Sequence, residues 1–466
     1  MSARWIRVDP AAAMRDGFDA IRREAGVPEA FAAEAEEEAR RAAEEVRTDA
    51  GGRERVDLDF VTIDPPGARD LDQALHIERR GDGHRVSYAI ADVAAFVAPG
   101  GAVDREAHAR GVTVYAPDEK TPLHPPALSE GAASLLPGEW RPAVLWTLDL
   151  DGQGELVDVH VARAQVRSSA QHTYEDVPPD VATVLAEVGE KRLRIERERG
   201  GVRLNVPEQE VVREGGSWTV KYRVPLATEE HNAQVSLLTG MAAARLMLDA
   251  GVGLLRTQPP PDAKSLARLR RQAEALHVEW REPYPEFIRS LDPAIPAQAA
   301  LMHEATGVGH GAGYLAFDGE APPQADATHF AIAAPYAHAT APLRRLQDRF
   351  VLECCLAAQD GRPVPQQVHE ALPRQPEAMA AGAKRARAVE RGVVDLVEAV
   401  LLQGREGERF EAVVIDDGLV QLRDPAIRGR LEHATPEHGA PEPGTVVTVT
   451  LDRADPATRS IAFSPS

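Results

Sequence analysis

Between Val61 and Ile77 the chain reads VTIDPPGARDLDQALHI, with three aspartates, Asp64, Asp70 and Asp72, gathered about one short Pro/Gly turn. Phe60 to Ile63 is apolar and β-branched and reads as a strand, which Pro65 and Pro66 end because proline lacks the ladder donor. Asp64 therefore stands at a strand end. Leu71, Leu75 and Ile77 predict a second extended run with Asp70 and Asp72 on its opposite face. Three carboxylates folded together repel one another and raise each other's pKa unless a cation compensates. A stretch without cysteine and with only His76 offers hard oxygen ligands, which favour magnesium or manganese over zinc. The alternative reading is of turn-forming aspartates and solvated loop charges.

Composition sets outer bounds. At 466 residues the chain has room for two or three domains. No apolar run approaches the ~20 residues of a membrane span, and the opening MSARWIRVDP lacks the apolar segment of a signal peptide. The expectation is a cytoplasmic protein with no membrane and no evident protein partner. Cys354 and Cys355 are adjacent, so they form neither a framework disulfide nor a zinc site, and packing roles are expected. The net charge of −20 is a weak argument against a nucleic-acid partner, because a channel can be locally basic inside an acidic molecule. His303, His310, His329 and His338 lack metal-ligand spacing.

Three regions are expected. Residues 1–52 form a helical N-terminal segment in which Phe31 to Val46 is mostly solvated and Asp49 to Gly52 is a linker. Residues 53–403 are strand-rich to about Glu175, then helical: Glu229 to Ala250, capped by Thr228 and ended by Gly251, then Asp262 to Leu276, Leu343 to Ala358 and Met379 to Leu402. The long helix should bury Val235, Leu238, Ala242 and Leu246. Lys384, Arg385, Arg387 and Arg391 on the last helix read as a solvated face. Residues 404–466 show short β-like runs suited to a five-stranded OB barrel, with Phe410 and Phe463 the aromatics available for base stacking. The fold class is α+β.

The segment TIDPPGARDLDQA resembles the motif of the RNase II (RNB) family of 3′ to 5′ exoribonucleases. YAIADVAAFV at Tyr88 to Val97, RGVTVYAPD at Arg110 to Asp118, LHPPALSEGAASLL at Leu123 to Leu136 and YAHATAPLRRLQD at Tyr336 to Asp348 follow in family order. The likeness runs from about Asp57 to Glu353. It implies an RNB catalytic domain of mixed sheet and packed helices, followed by a C-terminal RNA-binding OB barrel. It also implies a short form, because about fifty N-terminal residues leave no room for the family's cold-shock domains.

The same resemblance implies roles. Asp64, Asp70 and Asp72 would be ligands of Mg2+, or Mn2+, with Asp72 also the catalytically indispensable aspartate. Arg344 would stabilise the pentavalent phosphate, since a guanidinium offers paired donors. Two ions about 4 Å apart suit such hydrolysis. Gln73 departs from the pattern, standing where most relatives have a fourth aspartate, so one metal position is open to question. Tyr115 and Tyr174 match family tyrosines near the 3′-terminal nucleotides, and Glu229 matches a glutamate that contacts the terminal ribose, the contact that favours RNA over DNA. A further clamping aromatic is expected just before Pro207, where Arg203, Leu204 and Val206 stand instead. Asp92, Leu346 and Leu352 are expected to support the fold. The implied activity is magnesium-dependent, processive hydrolysis of single-stranded RNA to 5′-nucleoside monophosphates. The rivals are a catalytically weak or inactive RNA-binding regulator with the same fold, and a metal nuclease acting on DNA.

Overall fold

A computed structural model describes residues 10–48, 52–204, 208–214, 217–223, 225–293, 295–309, 311–416, 418–422, 427–432, 441 and 444–466. Most of the proposed linker at Asp49 to Gly52, and the positions Val206 and Pro207, lie outside them. Two helices come first, α1 (Pro10–Glu24) and α2 (Ala33–Thr48). They are followed by β1 (Glu54–Ile63), β2 (Gln73–Arg80), β3 (Gly83–Ala91), α3 (Ala102–Arg110), the short hairpin β4 (Val114–Tyr115) and β5 (Lys120–Thr121), β6 (Arg141–Leu150) and β7 (Leu156–His172). The mixed sheet closes on itself. Strands β1, β2, β3, β6 and β7 form a barrel in that order, shut by parallel pairing of β1 with β7.

Side-chain alternation along these strands feeds two cores. Val86, Tyr88 and Ile90 of β3, with Leu75, Ile77 and Trp146, pack among helical residues such as Val188, Val235 and Leu238. Ala89 and Ala91 pack instead with Phe60, Leu71, Ala74 and the two fully covered alanines of α2, Ala35 and Ala39. Leu71 thus belongs to a different core from Leu75 and Ile77. The expected single apolar face is corrected because β2 begins only at Gln73, so the period of two does not extend back through Asp70 to Asp72.

Next come α4 (Pro179–Arg199), the hairpin β8 (Glu208–Glu214) and β9 (Ser217–Arg223), and the long helix α5 (Ala227–Ala250). Gly251 ends α5 in the left-handed conformation, φ +74°, and its N–H caps the Leu248 and Met247 carbonyls. Leu226, not Thr228, occupies the N-cap, and Met247 rather than Leu246 is the buried residue of the last turns. The chain continues through β10 (Val252–Thr257), α6 (Ala263–Ala275, capped by the Asp262 carboxylate), α7 (Tyr284–Ser290), α8 (Pro296–Thr306), β11 (Gly313–Asp318) and α9 (Gln324–Ala327). After two short paired strands, β12 (Thr328–His329) and β13 (Ala334–Pro335), helix α10 (Leu346–Gln359) is buried on every side through Ala357. Its charges are paired: Arg345 with Asp348, Arg349 with Asp104, and Glu353 with Arg163. Cys354, Cys355, Leu346 and Leu352 are core residues there, and Asp92 is buried between Arg53 and Arg163, as expected of support residues.

Helices α11 (Gln366–Ala371) and α12 (Gln375–Leu402) lead to the last domain. Val389, Val393, Leu396 and Val397 of α12 pack against Met14, Phe18 and Ile21 of α1, so the N-terminal helices are docked parts of the body. Strands β14 (Arg409–Asp416), β15 (Leu419–Leu422), β16 (Arg428–Leu431), β17 (Val446–Asp455) and β18 (Ser460–Pro465) close a second barrel, ordered β14-β15-β16-β18-β17 with β16 parallel to β18. Phe410 and Phe463 meet edge-on in its core and are buried, so neither is a stacking platform for bases. Among the described residues no helix is long and apolar enough to cross a membrane.

Candidate active site

A cleft of about 940 Å³ opens beside the first barrel, and Asp64, Asp70, Asp72, Gln73, Tyr115, Tyr174, Glu229 and Arg344 all line it. The carboxylates arrive there because the loop between β1 and β2 is fastened along its length. Asp64 N–H donates to the His172 carbonyl at the end of the β1–β7 ladder, 3.0 Å. Pro65 then accepts from Ala68 N across a turn that requires positive φ at Gly67, +79°. Gln171 Nε2 donates to the Ala68 carbonyl, 2.8 Å, and Ser134 Oγ bridges the Arg69 carbonyl and the Leu71 N–H.

Asp72 lies at the floor, 2 % exposed. Its Oδ1 accepts from Leu343 N, 2.7 Å, and its Oδ2 from Arg344 Nε, 3.2 Å. The turn that presents those donors is held in place by Asp348, whose carboxylate accepts from Ala341 N, and by hydrogen bonds from Thr113 N to the Arg344 carbonyl and from Leu346 N to the Gly111 carbonyl. The preceding strand segment approaches α5 at Gly240, where a Cβ would fall 2.2 Å from the Tyr336 ring; only glycine admits that approach. Burial pushes Asp72 up to about 7, against the opposing pull of Arg344. Burial likewise pushes Asp64 up to about 6, again opposed by Arg344. The Arg344 side chain remains 43 % exposed, and its two Nη groups take no partner among the described residues.

Asp70 is gripped by the β4–β5 hairpin. Tyr115 and Lys120 are direct cross-strand partners. Tyr115 OH donates to Asp70 Oδ2 at 2.9 Å and Lys120 Nζ to Oδ1 at 2.5 Å. Burial would raise the Asp70 pKa, but the Lys120 and Tyr115 bonds outweigh it and hold the carboxyl below its ordinary value. The tip of the hairpin is anchored to α1, where the buried Arg22 pairs with Asp118 at 2.8 Å.

Elsewhere along the cleft, Tyr174 is half-buried and Glu229, in the first turn of α5, pairs with Arg223. Arg203 pairs with Glu196 and Glu230, and it lines the cleft together with Leu204 in the place where the family resemblance implies an aromatic.

The donor set fits a hard divalent cation in part. Asp64 Oδ2 is a buried acceptor that takes no hydrogen bond of normal geometry, which a cation would satisfy. The expected cage of three converging carboxylates is different: among the described residues no group of three or more His, Cys, Asp or Glu side chains is arranged to hold a metal. Each oxygen of Asp70 and of Asp72 instead accepts one hydrogen bond from the protein, which leaves each oxygen one further lone pair. Gln73 turns its carbonyl to Tyr88 OH, 2.5 Å, and Ser236 Oγ, 3.5 Å. The other end of its amide is an NH2 group, which cannot ligate a cation.

Lys120, Ser236 and the Leu343 amide join the site with no motif in the sequence to mark them. Lys120 was reachable from its place five residues beyond Tyr115 in a Pro-bounded turn, whereas the Leu343 and Ser236 bonds cross 271 and 163 positions and leave no local trace.

Comparison with known proteins places this geometry. A family model described as "RNB domain" matches residues 53–358, and one described as "RNase II-type exonuclease C-terminal S1 domain" matches 408–466. Ribonuclease R of Escherichia coli is 28% identical over 323 residues, which is 64% of this chain and 39% of that protein. Exoribonuclease 2 of Photorhabdus laumondii is 40% identical over 132 residues, 27% of this chain and 20% of that protein. The chain thus spans well under half the length of these curated relatives. The apo form of Mycoplasma genitalium RNase R superposes with a TM-score of 0.86 at 17% identity, covering 97% of this chain and 78% of that one. Yeast Ssd1, a pseudonuclease, superposes at 0.68 with 16% identity, over 81% and 50%.

Proposed function

Because the chain belongs to the RNB family, with the RNB domain followed by the family's C-terminal S1 domain, we propose that it is a cytoplasmic 3′ to 5′ exoribonuclease. It hydrolyses single-stranded RNA processively to 5′-nucleoside monophosphates and depends on magnesium, with manganese able to substitute. The observation that carries this reading is the pairing of buried Asp72 with Arg344 at the floor of the cleft, beside the Asp64 oxygen that accepts no hydrogen bond.

Asp72 orients Arg344 through Nε and leaves its Nη donors for the phosphoryl oxygens, where paired N–H groups match the charge that grows in the transition state. Asp64 and Asp72 are the carboxylates best placed to hold the ion, while Asp70, expected as a third ligand, is held by Lys120 and Tyr115. When bound, a divalent ion supplies Lewis acidity toward the phosphoryl oxygen and acidifies water. Tyr115 and Tyr174 flank the terminal nucleotides, and Glu229 accepts from a terminal ribose hydroxyl.

A second reading, an inactive RNA-binding regulator, is favoured by one observation, the loss of a carboxylate at Gln73. The deciding experiment incubates a 3′-labelled RNA oligonucleotide and its DNA counterpart with magnesium, manganese or chelator. Labelled mononucleotide released first from RNA alone, and only with metal, is the expected result. RNA that binds and stays intact would establish the regulator, and equal digestion of DNA would establish the DNA nuclease.

A further inference from the structure

We propose that the Lys120 ammonium is a built-in cation of the reaction centre: it occupies the charge position beside Asp70 that a second divalent ion would need, so that the site takes a single ion at Asp64 and Asp72. The proposal rests on the hydrolase reading above and specifies its metal content.

Lys120 is not a flexible surface lysine that happens to lie nearby. It stands opposite Tyr115 in the hairpin ladder, and the two side chains close on the two oxygens of one carboxylate, Nζ on Oδ1 and OH on Oδ2. A second acid, Glu130, holds the same ammonium from the other side at 3.1 Å. The hairpin tip is fixed by Arg22 to Asp118, so the arrangement is braced from α1. An ion approaching Asp70 must therefore compete with two donors and meet a fixed positive charge at close range. That repulsion is strong in a part-buried cleft, where the effective dielectric lies well below that of water.

Gln73 points the same way from an independent hydrogen bond. Its carbonyl, the only part of the side chain able to ligate, is engaged by Tyr88 from the core and by Ser236 in the cleft wall. Two positions that could have offered metal-binding oxygen thus present N–H groups or occupied acceptors. Asp64 differs from both, with one buried oxygen that accepts no hydrogen bond of normal geometry, Thr62 being the neighbouring hydroxyl. The site is asymmetric: one end has an acceptor in need of a cation, and the other already has its cation.

Manganese binding to the full chain tests this without recourse to turnover. Mn2+ is titrated into wild type, Lys120→Met, Lys120→Gln and Lys120→Arg, with free ion followed by electron paramagnetic resonance and heat by calorimetry. Wild type and Lys120→Arg should bind one Mn2+ per chain. Lys120→Met and Lys120→Gln should bind a second, or bind the first about tenfold more tightly or better, since a fixed charge repelling the ion has gone. Melting curves identify which variants are folded, and either neutral variant suffices. Two tightly bound ions in wild type, or neutral variants whose isotherms superimpose on it, would overturn the proposal. A wild-type chain that binds no Mn2+ and leaves RNA intact would overturn the hydrolase reading and this proposal together, whereas an active metal-binding enzyme indifferent to Lys120 overturns this proposal alone.

Discussion

At the scale of single residues, the site is a set of carboxylates distinguished by what already touches them. Asp72 shares its two oxygens between a backbone amide and Arg344, so Asp72→Asn removes the charge that orients the arginine while leaving the cleft intact. Hydrolysis should be abolished with RNA affinity held within a few fold, measured by single-turnover cleavage beside equilibrium binding; cleavage at near wild-type rate would remove Asp72 from the mechanism. Arg344→Lys keeps a positive charge but loses the planar fork, and a preorganised donor of this kind is worth about 10² to 10³ in rate. A Lys variant as fast as wild type would make Arg344 a structural residue. Glu229 is held by Arg223 at the mouth of α5, so Glu229→Ala should narrow the preference for a 3′-terminal ribose over deoxyribose by about 1 to 3 kcal/mol. Oligonucleotides that differ only in the terminal sugar read this directly, and an unchanged ratio places RNA selectivity elsewhere.

Among the elements, α12 ties the molecule together, meeting α1, the β8–β9 hairpin and the C-terminal barrel. Its Glu398 is buried where these join, accepting from Gln209 Nε2 at 2.7 Å and from Arg428 N at 3.0 Å. Burial pushes its pKa up to about 7, against those two bonds. The folded chain therefore holds a proton here that the unfolded chain, with a pKa near 4.5, releases. The stability this group contributes is complete below that unfolded value and is lost as pH rises through about 7. Glu398→Gln keeps an acceptor for both donors without a charge to bury. It should melt higher than wild type at pH 8, by up to about 3 kcal/mol from the size of the shift, with the difference closing as pH falls toward 4.5. Melting curves across that range decide it, and a constant difference would mean that Glu398 does not titrate in the folded range.

The whole molecule carries a net charge of −20 yet is proposed to bind a polyanion. Arginines and acids meet in one groove, where Glu390, Asp395 and Glu432 stand beside the basic groups. This second cleft, of about 900 Å³, lies between α12 and the last barrel, with Arg387, Arg391, Arg430 and Arg453 among its walls. The expected solvated face of α12 is thus one wall of a groove at Arg387 and Arg391, while Arg385 is spent on the carbonyls of Ala109 and Arg110. If strand phosphates lie there, replacing Arg387 and Arg391 by alanine should flatten the plot of log affinity against log salt, by about 0.7 for each phosphate of a single strand that is no longer neutralised. Fluorescence anisotropy at graded potassium chloride measures it, and a parallel line displaced or not would show that the strand avoids this groove.

Local pattern was enough for the carboxylate loop, because Pro65, Pro66 and Gly67 dictate a turn wherever they stand, and for the last barrel, because its short runs and breakers alternate at strand length. Glycine at 251 likewise marked a helix end through backbone chemistry that acts within a turn. The closure of the first barrel was not legible, since it depends on parallel pairing between β1 and β7, about a hundred residues apart, which no local period encodes. The docking of α1 was missed for the same reason: its apolar residues acquire meaning only from Val393 and Leu396 on α12. The sequence determined which acids, cations and aromatics the site could draw on. Tertiary structure alone decided their pairing, because hydrogen bonds and ion pairs depend on distances of a few ångströms between atoms that the chain separates by 272 residues for Asp72 with Arg344 and by 50 for Asp70 with Lys120, and it left Asp64 with an oxygen that accepts no hydrogen bond.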